Sequence, residues 1–307
     1  LETLDTGWVG DRVPPPDPKR IKRNLAAGRD DDSWGPNQSF RFPRCGGTGA
    51  IWEAVAAAIH PSRLLLDTPV DSIDLKNRSL TLRNGSALMY DHLITTMPLD
   101  LFCATADGLG PEIREVATEL VSSACHIIGI GLRGPEPSVL TGKGWIYFPD
   151  FNSPYYRVTV FSHYSPDNVP PGGEYWSLMA EVCETPFRPV DQKQIESQVI
   201  AAMKEDKLIP DGSEVVSVWH RRESHGYPTP FLGRDQVLRR LLPTLEKHRV
   251  FSRGRFGVWK YEVSNQDHSF MQGVELVDRL LGRGLEVTLN NPDLVNSGHF
   301  RTPKEDR

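Results

Sequence analysis

Five runs rich in apolar, β-branched and aromatic residues recur between His126 and His220, and they limit the chain to folds built around a sheet. They are His126–Leu132, Gly144–Phe148, Tyr155–Phe161, Tyr175–Val182 and Glu214–His220. Helical patterns at Gln192–Lys207 and Arg234–Glu246 interrupt or flank them, and a last one near Ser269–Leu281 stops at Gly282. Upstream, Ser79–Arg83 and Ala87–Tyr90 flank Asn84-Gly85, the signature of a tight type I′ hairpin. Leu64-Leu65-Leu66 and His92–Thr96 read as short buried strands, and Leu99–Ala104 and Pro111–Leu120 as helices. Strands separated by helices and hairpins predict a mixed α/β chain.

Residues 1–43 are rich in Pro, Gly and Asp without a sustained period, which predicts extended and loop structure. The basic run Lys19-Arg20-Ile21-Lys22-Arg23 is followed by Asp30-Asp31-Asp32, so both read as solvated loop charge. A net charge of −5 over 307 residues shows no basic stripe of the nucleic-acid-binding kind. No apolar run approaches ~18 residues, so no membrane-spanning helix is expected. The four cysteines (Cys45, Cys103, Cys125, Cys183) have no CxxC or metal-ligand spacing and fit free thiols in a reducing, cytoplasmic setting. Leu1 is not an initiator residue, so the start reads as cut, and the tail beyond Pro292 reads as poorly ordered.

Gly129-Ile130-Gly131-Leu132-Arg133-Gly134 matches GxGxxG, yet Pro135-Glu136-Pro137 follows where a helix must open to meet a pyrophosphate. It therefore reads as the end of a strand. Gly46-Gly47-Thr48-Gly49 does open a helical pattern, Ala50–Ile59, and reads either as a ligand-facing loop or as a tight packing turn. His225-Gly226-Tyr227-Pro228-Thr229-Pro230 is a rigid loop bearing an aromatic ring. Asn265-Gln266-Asp267-His268 precedes an apolar helix, with Asp267 placed as its N-cap. Arg12, near Trp8, and Arg157, beside Tyr155-Tyr156, offer planar forks suited to phosphate oxygens or to plain surface charge.

Taken together, several segments resemble the UDP-galactopyranose mutase family of the eukaryotic, fungal type. They are Phe40-Arg41-Phe42-Pro43 before the Gly46 run, Trp145-Ile146-Tyr147-Phe148-Pro149 with Pro154-Tyr155-Tyr156-Arg157, and His220-Arg221-Arg222 before Tyr227. The last runs from Ser252-Arg253-Gly254-Arg255-Phe256-Gly257 through Trp259 and Tyr261-Glu262-Val263 to Asn265-Gln266-Asp267-His268-Ser269-Phe270-Met271. The resemblance extends from Trp8 to about Val295. It implies a flavoprotein that interconverts UDP-galactopyranose and UDP-galactofuranose, with reduced FAD supplying the nucleophile and a nucleotide sugar as ligand. It also implies part of a Rossmann-like FAD domain plus a twisted antiparallel sheet domain.

Residue by residue, the resemblance implies a catalytic set of Arg12 and Arg157, which clamp the diphosphate, with Tyr227 and Tyr261, which line the sugar-diphosphate cleft. Trp145, Tyr147, Asn37 and Asn265 would bind substrate, with Trp34-Gly35-Pro36-Asn37 as a flap. Gly46, Gly47, Thr48, Arg255, Gln266, Asp267, His268 and Met271 would contact the flavin, and no metal is implied. Cys45 stands where the family has arginine.

The implied division is a segment and flap (1–45), a remnant of the FAD-type domain (46–98), a sheet domain with flanking helices (99–250), a return to the FAD-type domain (251–295) and a tail (296–307). The family's opening strand, GxGxxG turn and helix are not matched. The expectation is thus a chain truncated at its N-terminus that holds FAD weakly or not at all by itself. Such a chain would self-associate or meet a complementing N-terminal chain. The alternatives are a shortened, flavin-independent isomerase or cyclase for another small molecule, and a non-catalytic binding remnant.

Overall fold

The computed structural model describes residues 3–9, 17–29, 40–150 and 152–297. Its α-helices are α1 (Pro18–Ala26), α2 (Gly49–Ala57), α3 (Leu99–Thr105), α4 (Pro111–Ala117), α5 (Ile195–Glu205), α6 (Arg234–Lys247), α7 (Gln266–Leu280), α8 (Val287–Asn290) and α9 (Pro292–Asn296). The strands β1 (Val70–Asp74), β2 (Ser79–Leu82), β3 (Ala87–Met89), β4 (Leu93–Thr95) and β5 (Ala106–Asp107) precede β6 (Ser122–Arg133), β7 (Trp145–Tyr147) and β8 (Arg157–Val160). The remaining strands are β9 (Tyr175–Glu184), β10 (Glu214–Pro228) and β11 (Val250–Ser252). One compact unit comprises the described parts of 1–40, 66–121 and 227–307, and a second comprises 41–65 and 122–226. The mixed α/β class is the one the sequence predicts.

The first unit holds a sheet in the order β3-β2-β1-β5 and a parallel pair, β11 with β4. Its core is built from Ile73, Leu99, Phe102, Leu238, Leu241, Leu245 and Trp259. Helix α6 shows why the sequence folds this way: Val237, Leu238, Leu241 and Leu245 recur on one helical face and all are buried. Each such side chain contributes about 1.5–3 kcal/mol by leaving water.

The second unit is a five-stranded sheet, β10-β6-β9-β8-β7. Its β6–β9, β9–β8 and β8–β7 pairings are antiparallel. Alternation along β6 sends Ile128, Ile130 and Leu132 inward, where Ile195, Val199 and Met203 of α5 pack at four-residue spacing. Gly129 to Arg133 lie inside β6 and no α-helix opens at Gly134, the next element being a single 3-10 turn at Ser138–Leu140, so the GxGxxG string is a strand end, as its context predicts.

Five local expectations need correction. Residues 18–26 are helical, not loop: Asp17 caps α1 through Lys19 N (2.9 Å) and Arg20 N (3.1 Å), with Pro18 in the first turn. Leu64–Leu66 form no strand, and Leu65 and Leu66 are 63% and 77% exposed. In the hairpin only Gly85 has positive φ (83°), and Gly85 N donates to Leu82 O at 2.8 Å. Asn84 instead uses its side chain to accept from Ser86 N at 3.0 Å, which fits a type I turn closed by a glycine bulge. The N-cap of α7 is Asn265; Asp267 lies inside the first turn, where its charge complements the helix dipole. From Pro292 to Asn296 the chain forms α9, tied down by Asn296 Nδ2 donating to Glu262 O at 3.0 Å, while residues 298–307 of the expected tail lie outside the described residues.

Candidate functional site

In the first unit, the segment from Arg253 to Ser264 is a scaffold of buried polar contacts. Arg253 N extends the β11–β4 pairing by donating to Thr95 O at 2.9 Å. Gly254 then turns with φ 85°, and its N–H donates to Oε1 of the fully buried Gln272 at 2.8 Å. Gln272 Nε2 reaches back to Val263 O at 2.9 Å, so one side chain clamps both ends of the segment. Trp259 is wholly buried in a left-handed conformation (φ 54°), with Nε1 donating to Val121 O at 2.9 Å. Arg234 grips Glu262 through two bonds of 2.7 and 2.8 Å. Burial works against the charge on Arg234, but the Glu262 contact prevails and holds the guanidinium above its ordinary range.

That scaffold presents Tyr261. Its ring meets Trp8 edge-on at 4.6 Å and lies 5.9 Å from the ring of Tyr227, at the end of β10. The Arg255 guanidinium sits 4.7 Å above the Tyr227 ring while Nη1 donates to Ser264 O at 3.1 Å. Ser264 precedes Asn265, the extended N-cap of α7, whose side chain does not cap the helix. Gln266, Asp267 and His268 form the first turn, and Met271 is 42% exposed one turn on. The structure therefore gathers Tyr227, Tyr261 and Arg255 and links them to the start of α7.

In the second unit, strand register places Tyr147 opposite Arg157 and Arg157 opposite Glu181. Arg157 Nε donates to Glu181 Oε1 at 2.8 Å, and Nη2 bonds the same oxygen. Tyr156 Oη donates to the other carboxylate oxygen at 2.5 Å. Glu181 is buried, so this carboxylate fixes the plane of the Arg157 fork from behind. The Arg157 guanidinium also lies 5.9 Å from the centre of the half-exposed Tyr147 ring. Trp145 meets Tyr164 edge-on at 6.3 Å, and Phe42 meets the same ring at 5.1 Å. Burial pushes the Tyr164 hydroxyl up to about 12, with Arg157 opposing, so it remains a neutral donor.

Gly46 (φ 77°) and Gly47 (φ 60°) open α2 behind Thr48, as their spacing predicts. Cys45 donates to Asp167 Oδ2 at 2.9 Å and Arg44 Nε to the same oxygen at 3.1 Å, which ties this loop down without an arginine at position 45. Arg12 and Asn37, with the flap at 34–37, lie outside the described residues. Among the described residues no cluster of His, Cys, Asp or Glu has the arrangement of a metal site. No helix among them is long and apolar enough to cross a membrane.

Sequence reasoning missed Glu181, Gln272 and the Arg234–Glu262 pair. Nothing in the local sequence of Glu181 signals its role, because Arg157 meets it only through the β8–β9 register.

Residues 21–256 match the model of the flavin containing amine oxidoreductase family, and the chain belongs to that family. The structure is also similar to that of reduced UDP-galactopyranose mutase: 42% identity, TM-score 0.89, covering 96% of this chain and 64% of that one. This chain therefore spans just under two thirds of the length of that relative. A CLA-producing fatty acid isomerase from P. acnes shares the fold at 14% identity (TM-score 0.55, 76% of this chain and 52% of that one).

Proposed function

We propose that this chain carries the nucleotide-sugar site and part of the flavin pocket of a UDP-galactopyranose mutase. The observation that carries the reading is 42% identity sustained over 96% of the chain. A flavin fits the residues present. The Gly254 turn follows a parallel strand pair, and Arg255 after it is a planar donor that reaches Ser264 O, just ahead of an α7 N-terminus that the Asn265 side chain does not cap. Backbone N–H groups at a helix start and an arginine fork suit the polar rim of an isoalloxazine ring. Gln266, Asp267, His268 and Met271 would hold it there, and Gly46, Gly47 and Thr48 belong to the same role.

When bound, the reduced flavin supplies the electron-rich atom that attacks the anomeric carbon. The chain's own residues do the holding. Arg157 and Arg12 balance charge on the departing diphosphate, the former oriented by Glu181. Trp145, Tyr147, Asn37 and Asn265 orient the substrate. Tyr227 and Tyr261 exclude water from the sugar and offer hydroxyls to phosphate. The exposed stripe of Phe270, Val274, Val277 and Leu280 on α7 suits a complementing chain or a second copy.

Arg157 gives the direct test. A charged hydrogen bond to phosphate contributes about 1.5–3 kcal/mol. Arg157→Ala should therefore weaken UDP binding roughly ten- to a hundredfold in calorimetry. Arg157→Lys should recover only part of the loss, since it cannot reproduce the two-nitrogen contact with Glu181. Unchanged UDP affinity in the alanine variant removes Arg157 from the ligand site.

A further inference from the structure

Cys125 on β6 and Cys183 on β9 stand directly opposite each other. Their kind of pairing follows from the ladder. Register is constant from Ala124↔Glu184 to Arg133↔Tyr175, and one step beyond it Gly134 N donates to Glu174 O at 2.9 Å. In an antiparallel ladder, hydrogen-bonded and non-hydrogen-bonded pairs alternate. Counting back from Gly134, the even-numbered residues of β6 occupy hydrogen-bonded pairs and the odd-numbered ones do not. Cys125↔Cys183 is therefore a non-hydrogen-bonded pair. Cα atoms in such pairs are about 4.5 Å apart with side chains on the same face, inside the roughly 4.4–6.8 Å that a disulfide spans.

The side-chain surroundings agree. The Cys125 sulfur lies 4.0 Å from Tyr156 Oη, which is itself bonded to Glu181 of β9, so the thiol leans toward β9. From the β10 side, Gly226 packs so closely that a Cβ there would come within 2.6 Å of Cys125 Cβ. Cys125 is buried and Cys183 half-exposed, which makes Cys183 the point of entry for a reagent.

We propose that Cys125 and Cys183 are a redox-sensitive pair that closes into a cross-strand disulfide when a low-molecular-weight disulfide is present. The Cys183 thiolate attacks the reagent, forming a mixed disulfide and expelling one reagent thiolate. The Cys125 thiolate then attacks the Cys183 sulfur, and the second reagent thiolate leaves. Two protein thiols lose two electrons and two protons, and one reagent disulfide becomes two thiols. Burial pushes the Cys125 thiol up to about 11, so the second step is the slow one and quickens as pH rises. The link ties β6 to β9 two residues from Glu181, the carboxylate that orients Arg157.

The other thiols supply internal controls. Cys103 is buried, with its thiol pushed up to about 12, and Cys45 is exposed and hydrogen-bonded to Asp167. The experiment is native incubation of the chain with glutathione disulfide, alkylation of remaining thiols after unfolding, and non-reducing peptide mass mapping. The expected product joins the Cys125 and Cys183 peptides with loss of two hydrogens, leaves Cys103 alkylated, and forms equally in Cys45→Ser. A lasting glutathione adduct on Cys183 with Cys125 alkylated overturns the proposal. So does recovery of both cysteines as thiols after Cys45 has reacted, or a link from either of them to Cys45.

Discussion

Replacing Arg234 by alanine should destabilise the chain by about 3–5 kcal/mol, because it strands the buried Glu262 carboxylate without its partner. Both side chains are buried, and the contact is bidentate at 2.7 and 2.8 Å, with Asp235 adding a third at 2.8 Å. The attraction of the pair itself is largely offset by the loss of water around both charges. The double replacement Arg234→Met with Glu262→Leu should therefore recover most of the loss. Urea denaturation followed by fluorescence reads both variants. A single-variant loss below about 1 kcal/mol would mean that water reaches this pair and that it behaves as a surface contact. Because Glu262 adjoins Tyr261, Arg234→Ala should also loosen the Trp8–Tyr261–Tyr227 cluster.

Gly257→Ala should cost about 3 kcal/mol or more, at the upper end of what added core atoms cost. A Cβ at this position would lie 2.2 Å from Arg253 O and 2.8 Å from Arg253 N, both backbone atoms that no rotamer change can move. Arg253 is itself fixed by Glu286 (2.5 and 2.8 Å) and Glu246 (2.9 Å), so the turn has no cheap way to open. Gly273 in α7 provides the contrast, with nothing within 4 Å of its added Cβ. Gly273→Ala should stabilise by up to about 1 kcal/mol through helix propensity. Equal urea midpoints for the two variants would refute the close approach at Gly257.

Much of this architecture was legible in the sequence because it rests on local periodicity. The strands of the antiparallel sheet announce themselves by apolar content, and α6 by its spacing of Val237, Leu238, Leu241 and Leu245. The failure of Gly129–Gly134 as a nucleotide turn was equally legible, since Pro135 and Pro137 deny it a helix. Helix α1 was hidden by its composition, although Asp17-Pro18 is a sound start signal. Leu64–Leu66 misled because three leucines carry no period, and an apolar triplet alone does not fix burial.

The site was legible in part, through motifs whose members lie close in sequence, such as Tyr261 with Asn265–Met271. Its supports were not. Glu181 reaches Arg157 through strand register, Gln272 reaches Gly254 across a helix and a turn, and Arg234 reaches Glu262 over 28 positions. No local pattern encodes pairings of that kind.

The most direct test is conversion of UDP-galactofuranose to the pyranose form, followed by chromatography under dithionite. The proposed reaction requires a reduced flavin held against a sugar with a bound diphosphate, and holding such a reactant can be worth roughly 7–11 kcal/mol. Background conversion is expected of the 307 residues without flavin. Turnover is expected once the chain is joined to the portion of the matched mutase that it does not span and supplied with reduced FAD, with a return to background on reoxidation. Conversion by the 307 residues with no flavin bound, or an inactive joined chain that retains reduced FAD and binds UDP, would contradict it.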